Sequence, residues 1–273
     1  MNEQKYRLPP LPQLAGEICK ITGDAARQIL EIYNSEFTIK HKDDHSPLTA
    51  ADTAAHDAIC KGLQDLTPDI PVLSEESANI PFSTRKNWRY FWLVDPLDGT
   101  REFIKRNGEF TINIALIEEH APILGVVHVP VTGQIYFASR GNGAFRKPGN
   151  DGPVRIRTRS INPRHIAVAG SRSHGSAKQQ AFFSKLGDVE IHAIGSALKF
   201  CLVAEGTVDI YPRFGPTSEW DTAAAQCIVE EAGGIVTGIN FEPLRYNCQE
   251  SLLNPDFLAI ADKSFDWQPY LSD

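Results

Sequence analysis

The chain has no cysteine pattern of the kind that builds a disulfide framework or a thiolate metal site. Its five cysteines, Cys19, Cys60, Cys201, Cys227 and Cys248, are odd in number, widely spaced and free of any Cys-x-x-Cys. Isolated thiols of this sort read as small core residues in a reducing compartment. No apolar run approaches the ~18 residues that a membrane-spanning helix needs, and no apolar signal core follows Met1–Lys5. These absences predict a cytoplasmic protein without a transmembrane segment. Peripheral contact with the cytoplasmic face of the inner membrane stays open, as does the oligomeric state. Runs rich in Lys and Arg are missing too. With 34 acids against 27 bases and a formal charge of −7, a long nucleic acid is excluded as a partner, because such partners are held by a basic face. A small anionic ligand is not excluded, since a local cluster of bases overrides the average. Internal repeats and low-complexity tracts are also lacking.

What is present is an ordinary globular composition, 42% hydrophobic and 22% charged over 273 residues, long enough for one large domain or two packed ones. Leu14, Ile18, Ile21, Ala25, Ile29 and Ile32 recur at helical steps and predict an amphipathic helix over residues 11–36. A second helix is expected from Thr49 to Leu66. Tyr90–Val94, Thr111–Ile117, Ile123–Val129 and Gln134–Ala138 read as strands of a partly antiparallel meander. Residues 146–153 have the strongest turn composition. Beyond them strands at 165–169, 189–193, 208–211 and 235–237 alternate with helices at 176–186, 196–205 and 221–232. The expectation is an α+β or α/β layer structure. Its two halves are placed at residues 1–155, carrying the metal-binding acids, and 156–273, carrying Asp221 and substrate contacts.

The most informative segment is Trp92-Leu93-Val94-Asp95-Pro96-Leu97-Asp98-Gly99-Thr100. Here a strand is expected to end at Asp95, where proline stops the ladder. Asp98 follows around a turn, and Gly99-Thr100 opens a helix. Two close carboxylates repel unless a cation or proton lies between them, and hard oxygen ligands favour Mg²⁺, Mn²⁺ or Ca²⁺ over zinc. Free N–H groups at a helix start favour an anion. Metal plus oriented N–H groups makes a phosphate site, whereas Asp-Gly alone would be a turn with a helix cap. Three further acids have plain structural explanations of their own. Glu75, in Ser74-Glu75-Glu76-Ser77, could be a solvated loop acid, Asp221 a first-turn helix acid, and Asp52 the partner of Thr49 in a capping box.

Taken together, Asp95-Pro96-Leu97-Asp98-Gly99-Thr100, the preceding Glu75-Glu76 and the following Trp220-Asp221-Thr222-Ala223-Ala224 through Gly233-Gly234 resemble the inositol monophosphatase superfamily of Mg²⁺-dependent phosphomonoesterases. The resemblance runs from Lys42 to about Gly234. Within that superfamily the chain looks most like the bacterial bisphosphate-nucleotidase branch. Four segments carry this choice: Ser46–Asp52, Ser171–His174, Gly195–Phe200 and Tyr211–Asp221. The fold implied is a layered α-β-α-β-α sandwich with mixed sheets.

The resemblance implies metal ligands at Glu75, Asp95, the carbonyl of Leu97, Asp98 and Asp221. It implies two or three Mg²⁺ ions, with Mn²⁺ as a substitute and Ca²⁺ and Li⁺ as inhibitors. Asp52 and Thr100 would orient the attacking water, with Glu75 also touching it. The substrate implied is adenosine 3′,5′-bisphosphate, losing its 3′-phosphate. Glu75, Leu97, Asp98, Gly99, Thr100 and Asp221 would contact substrate at the reacting end, and His174, Ser196, Lys199 and Arg213 along the nucleotide. Each base taken singly reads as ordinary surface charge. The alternatives are an inositol or sugar phosphatase of the same superfamily, or a metal-dependent nucleotide-binding protein without turnover.

Overall fold

The computed structural model describes residues 8–36, 38, 40–41, 47–149, 151–170 and 177–271. The first helix, α1 (Leu11–Tyr33), buries Leu14, Ile18, Ala25 and Ile29 on one stripe and closes at Asn34. A short ladder of β1 (Lys40–His41) and β2 (Pro47–Leu48) follows. Then come α2 (Ala50–Leu66), β3 (Val72–Ser74), a single 3₁₀ turn at Glu75–Ser77, and α3 (Phe82–Arg85). Next are β4 (Tyr90–Asp98), α4 (Thr100–Ile104), β5 (Thr111–Glu118), β6 (Ala121–Val129), β7 (Gln134–Ser139), β8 (Gly143–Lys147) and β9 (Val154–Ile156). Strands β3 to β9 form one seven-stranded sheet in chain order. Only the β3–β4 pair is parallel.

The rest of the chain runs β10 (Ile166–Gly170), α5 (Ala177–Leu186), β11 (Val189–Ala193), α6 (Leu198–Ala204), β12 (Ile210–Arg213), α7 (Glu219–Ala232), β13 (Ile235–Gly238), β14 (Phe257–Ile260) and α8 (Gln268–Leu271). Its five-stranded sheet has the order β11-β10-β12-β14-β13. β10 is parallel to both its neighbours and β14 antiparallel to both of its own.

Alternation along the strands sorts the side chains into layers. Trp92 and Val94 of β4, with Ile112 and Ile114 of β5, pack under α1 and α2. Phe91 and Leu93 face the other way, where α6, α7 and the inner face of the second sheet enclose one continuous core. The outer face of that sheet, with Val168, Ile210 and Leu258, is covered by Phe182 and Trp267. The result is the expected α-β-α-β-α order with two mixed sheets. Helix α7 lies so close to β6 that a Cβ at Gly125 would stand 2.1 Å from the carbonyl oxygen of Ala224. Glycine is required there, and the alanines of α7 supply the matching smooth face. Among the described residues, no helix is long and apolar enough to cross a membrane.

Several expected boundaries are adjusted. β4 does not stop at Asp95; it continues through Pro96 to Asp98, with a register shift between the two acids. The extra residue absorbs the proline, which has no N–H to give to the ladder. The turn-rich stretch at 146–153 begins within β8 and joins β8 to β9 inside the first sheet. The helix expected from Ser196 starts at Leu198, because Ser196 takes a left-handed φ of 47°. Strand β12 runs to Arg213 rather than ending at Tyr211. The helix expected from Ser176 begins at Ala177 within the described residues, Ser176 itself lying outside them.

Candidate active site

The shift in β4 decides where its acids point. Asp95 pairs with Asn113 and Asp98 with Thr111, so three steps on β4 match two on β5. Side chains three apart on a regular strand face opposite ways. The inserted residue restores parity, and both carboxylates face the α7 side while Leu97 turns into the core under α1 and α2. Asp95 is buried, its Oδ1 accepting from Leu97 N at 3.0 Å. Asp98 Oδ2 accepts from Ala197 N at 2.6 Å, Asn113 Nδ2 at 3.3 Å and Thr111 Oγ1 at 3.4 Å. Gly99, at a left-handed φ of 95°, turns the chain into α4.

Asp52 and Asp221 reach the same region from two helix starts. Each is the third residue of its helix and closes a capping box, Asp52 with Thr49 and Asp221 with Ser218. Asp52 Oδ2 accepts from Thr49 N and Oγ1, both at 2.7 Å, and its Oδ1 accepts from Thr100 Oγ1 at 3.3 Å. Thr100 Oγ1 also lies 3.5 Å from the Leu97 carbonyl. Asp221 Oδ2 accepts from Ser218 N at 2.9 Å. The plain capping explanations of Asp52 and Asp221 are therefore true, and they place the carboxylates instead of competing with a chemical role. Glu75 opens the 3₁₀ turn directly after β3, the strand parallel to β4.

The acids perturb one another. Burial, followed by the charges of Glu75, Asp98 and Asp221, holds Asp95 well above the ordinary carboxylate range. Burial also raises Asp98, against the pull of Lys199. Burial and the Asp98 charge push Asp221 up to about 8. Such a cluster is stable in its charged form only with cations among its oxygens. Among the described residues no three His, Cys, Asp or Glu side chains form a ready-made cage. Carboxylate oxygens are the donors that hard divalent ions such as Mg²⁺ prefer.

A basic wall shares the site with the acids. A cleft of about 150 Å³ is lined by Asp98, Gly99 and Asp221 together with Ser196, Lys199 and Arg213. Lys199 is only 6% exposed, so it is no surface charge. Its Nζ donates to the Ser196 carbonyl at 2.7 Å and sits 5.3 Å from the centre of the Tyr211 ring. Desolvation lowers its pKa to about 8, opposed chiefly by Asp98. Arg213 donates from Nη2 to the Pro216 carbonyl at 3.0 Å. Its Nε and the Ser196 hydroxyl are shut off from solvent without a hydrogen-bond partner among the described residues. Buried polar atoms without a partner are uncommon in native proteins.

Of the residues singled out from sequence, Asp98, Gly99, Ser196, Lys199, Arg213 and Asp221 share this cleft. Asp95 lies within charge range of Glu75 beside it, and Asp52 joins through Thr100. His174, with Ser171–Ser173, lies outside the described residues, as does Ser46. Sequence reasoning missed Asn113 and Thr111, which reach Asp98 only through strand register. Tyr211 beneath Lys199 and Gly195 stand in segments that carried the resemblance but were given no role of their own; a Cβ at Gly195 would meet Glu102 Cγ at 2.7 Å and the Glu109 carbonyl at 2.8 Å. The Gly195-Ser196 dipeptide before a helix was the available signal.

A profile of the inositol monophosphatase family matches residues 13–264. A 3′(2′),5′-bisphosphate nucleotidase CysQ of Escherichia coli strain K12 is 46% identical over 243 residues, covering 88% of this chain and 97% of that protein. The protein of the same name from Aggregatibacter actinomycetemcomitans is 38% identical over 93% of this chain and 95% of its own. The crystal structure of CysQ from Bacteroides thetaiotaomicron, described as a bacterial member of the inositol monophosphatase family, superposes with a TM-score of 0.80. It is 42% identical, covering 91% of this chain and 97% of that one.

Proposed function

The chain belongs to the inositol monophosphatase family, and from that premise we propose that it is a 3′(2′),5′-bisphosphate nucleotidase. Its reaction removes the 3′-phosphate of adenosine 3′,5′-bisphosphate to give AMP and phosphate. The family is Mg²⁺-dependent. The observation that carries the substrate choice is the basic wall. A monophosphate on a neutral polyol has no second anion for Lys199 and Arg213, whereas a bisphosphate does, and charge-assisted bonds to phosphate are the strong ones.

In this reading residues 1–155 supply most of the metal site, and 156–273 supply Asp221 and the nucleotide contacts. Glu75, Asp95, the Leu97 carbonyl, Asp98 and Asp221 would hold two or three Mg²⁺ ions. When bound, Mg²⁺ neutralises the acids, polarises the phosphoryl oxygens and makes water a stronger nucleophile. Thr100 Oγ1 donates to Asp52 Oδ1, which leaves its lone pairs to accept a proton from the attacking water while its own passes to Asp52. Glu75 touches the same water. The N–H groups of Gly99 and Thr100 hold phosphate oxygens at the start of α4. Asp221 stands on the leaving-group side, by the ribose. Lys199 and Arg213 pair with the 5′-phosphate, and Ser196 and His174 complete the nucleotide contacts. Mn²⁺ substitutes for Mg²⁺, and Ca²⁺ and Li⁺ inhibit.

Phosphate release in Mg²⁺, measured side by side on adenosine 3′,5′-bisphosphate and inositol 1-phosphate, tests the reading. A preference for the bisphosphate is expected. Preference for the inositol ester would overturn the substrate, and binding without release would overturn turnover.

A further inference from the structure

We propose that Arg85 is a positioning residue: through a buried polar clasp with Asn247 and Glu219 it fixes Asp221 relative to Glu75. The inference rests on the metal-ligand reading above. Arg85 ends α3, on the segment that follows the Glu75 turn, and is 1% exposed. Its guanidinium donates to three oxygens: the Ile80 carbonyl from Nε at 3.3 Å, Asn247 Oδ1 from Nη1 at 2.5 Å, and the Glu250 carbonyl from Nη2. Asn247, fully buried, donates back from Nδ2 to the Arg85 carbonyl at 2.6 Å. Its backbone N–H donates to Glu219 Oε2 at 2.8 Å.

Glu219 is the first residue of α7, two before Asp221. The same loop grips that turn twice more. The Leu252 carbonyl accepts from Glu219 N at 2.8 Å, and Asn254 Nδ2 donates to the Ser218 carbonyl at 2.7 Å. Ser218 in turn holds Asp221 Oδ2. Hydrogen bonds linked by short stretches of backbone therefore join the segment after Glu75 to the carboxylate of Asp221.

Neither Arg85 nor Asn247 lines the cleft, so neither can act on substrate directly. A guanidinium is costly to bury, and an apolar side chain would fill the space without that cost. What arginine adds is a rigid plane of donors that sets the spacing of three chain segments. Asn247 sits at a left-handed φ of 55°, which asparagine tolerates and these bonds fix. Groups behind a metal ligand typically change metal affinity 10–100-fold.

The test is a titration of Mn²⁺ into the metal-free full chain, read as free Mn²⁺ by electron paramagnetic resonance, with thermal melts in parallel. Arg85→Met and Asn247→Gly are each expected to raise the Kd for Mn²⁺ about tenfold; the glycine keeps the left-handed backbone and removes the amide bridge. Tyr136→Phe, which loses a bond to Glu205 outside the clasp, is expected to lower Tm without changing Mn²⁺ affinity. Wild-type affinity in a folded Arg85→Met or in Asn247→Gly would overturn the proposal. If Arg85→Met does not fold, Asn247→Gly decides alone. Asp221→Asn separates the two readings. Unchanged Mn²⁺ binding there overturns the ligand assignment itself. Weakened binding there with normal binding in Asn247→Gly overturns only the clasp.

Discussion

At the scale of single residues, the site is built from oxygens that the fold has half committed. Asp95, Asp98 and Asp221 each have one oxygen held by backbone or neighbouring side chains, and Asp52 has both. This holds the carboxylates in place before any ligand arrives. Asp98→Asn keeps the hydrogen bonds and removes the charge. It is expected to lower kcat by more than the roughly hundredfold that loss of a supporting group costs, with Tm near that of the wild type. Lys199 offers a sharper pH test. Its free-state pKa of about 8 means that the ammonium is lost as pH rises through 8, and cations at Asp98, as proposed, would push in the same direction. kcat/KM for the bisphosphate should therefore fall above pH 8, while that for a monophosphate substrate does not. Lys199→Ala should abolish this difference; equal pH profiles for the two substrates in the wild type would refute it. The acids were legible in sequence because their spacing is rigid. The burial of Lys199 was not, because burial depends on what the other half of the chain brings over it.

Elements place those residues, and here periodicity was a good guide only where a face repeats. α1 and α2 announce themselves through their apolar stripes. β8, β9 and β14 are too short to carry a pattern, and Pro96 reads as a stop although the strand passes through it. The contact of α7 with Gly125 was illegible for a different reason: nothing near Gly125 in sequence points to a helix a hundred residues away. Gly125→Ala forces Cβ onto the Ala224 carbonyl and is expected to cost about 3 kcal/mol, read from urea unfolding. Because α7 carries Asp221, the surviving folded fraction should also need more Mg²⁺ for half-maximal rate.

For the whole molecule, the two sheets share α6 and α7 in one core, so stability and site geometry are linked. His128 on β6 is 5% exposed, and burial pushes its pKa down to about 4. An unfolded histidine titrates near 6.5. The unfolded chain therefore takes the proton first, and the stability present above pH 6.5 is lost as pH falls through 4. His128→Gln should remove this component, so its Tm should fall less than that of the wild type between pH 7 and pH 4. Parallel melting curves across that range would contradict the assignment. The mixed α/β class was legible because amphipathic helices flank a meander and then alternate with strands, whereas the order of the five layers came with the family resemblance. How the second sheet closes was not, since β14 comes from beyond the last recognised motif.

The extra residue in β4 makes the chemistry depend on register. A chain of the same length whose β4 paired with β5 evenly, without the shift between Asp95 and Asp98, could still bury the same preceding side chains. Its second acid would then emerge on the far side of the sheet, beneath α1 and α2, where no substrate can reach. Substitutions at Pro96 and Leu97 alter size and polarity, whereas loss of the bulge inverts odd and even. The pairing of that short segment is thus under tighter constraint than its composition, and an inactive descendant of this fold could keep every one of these acids in its sequence.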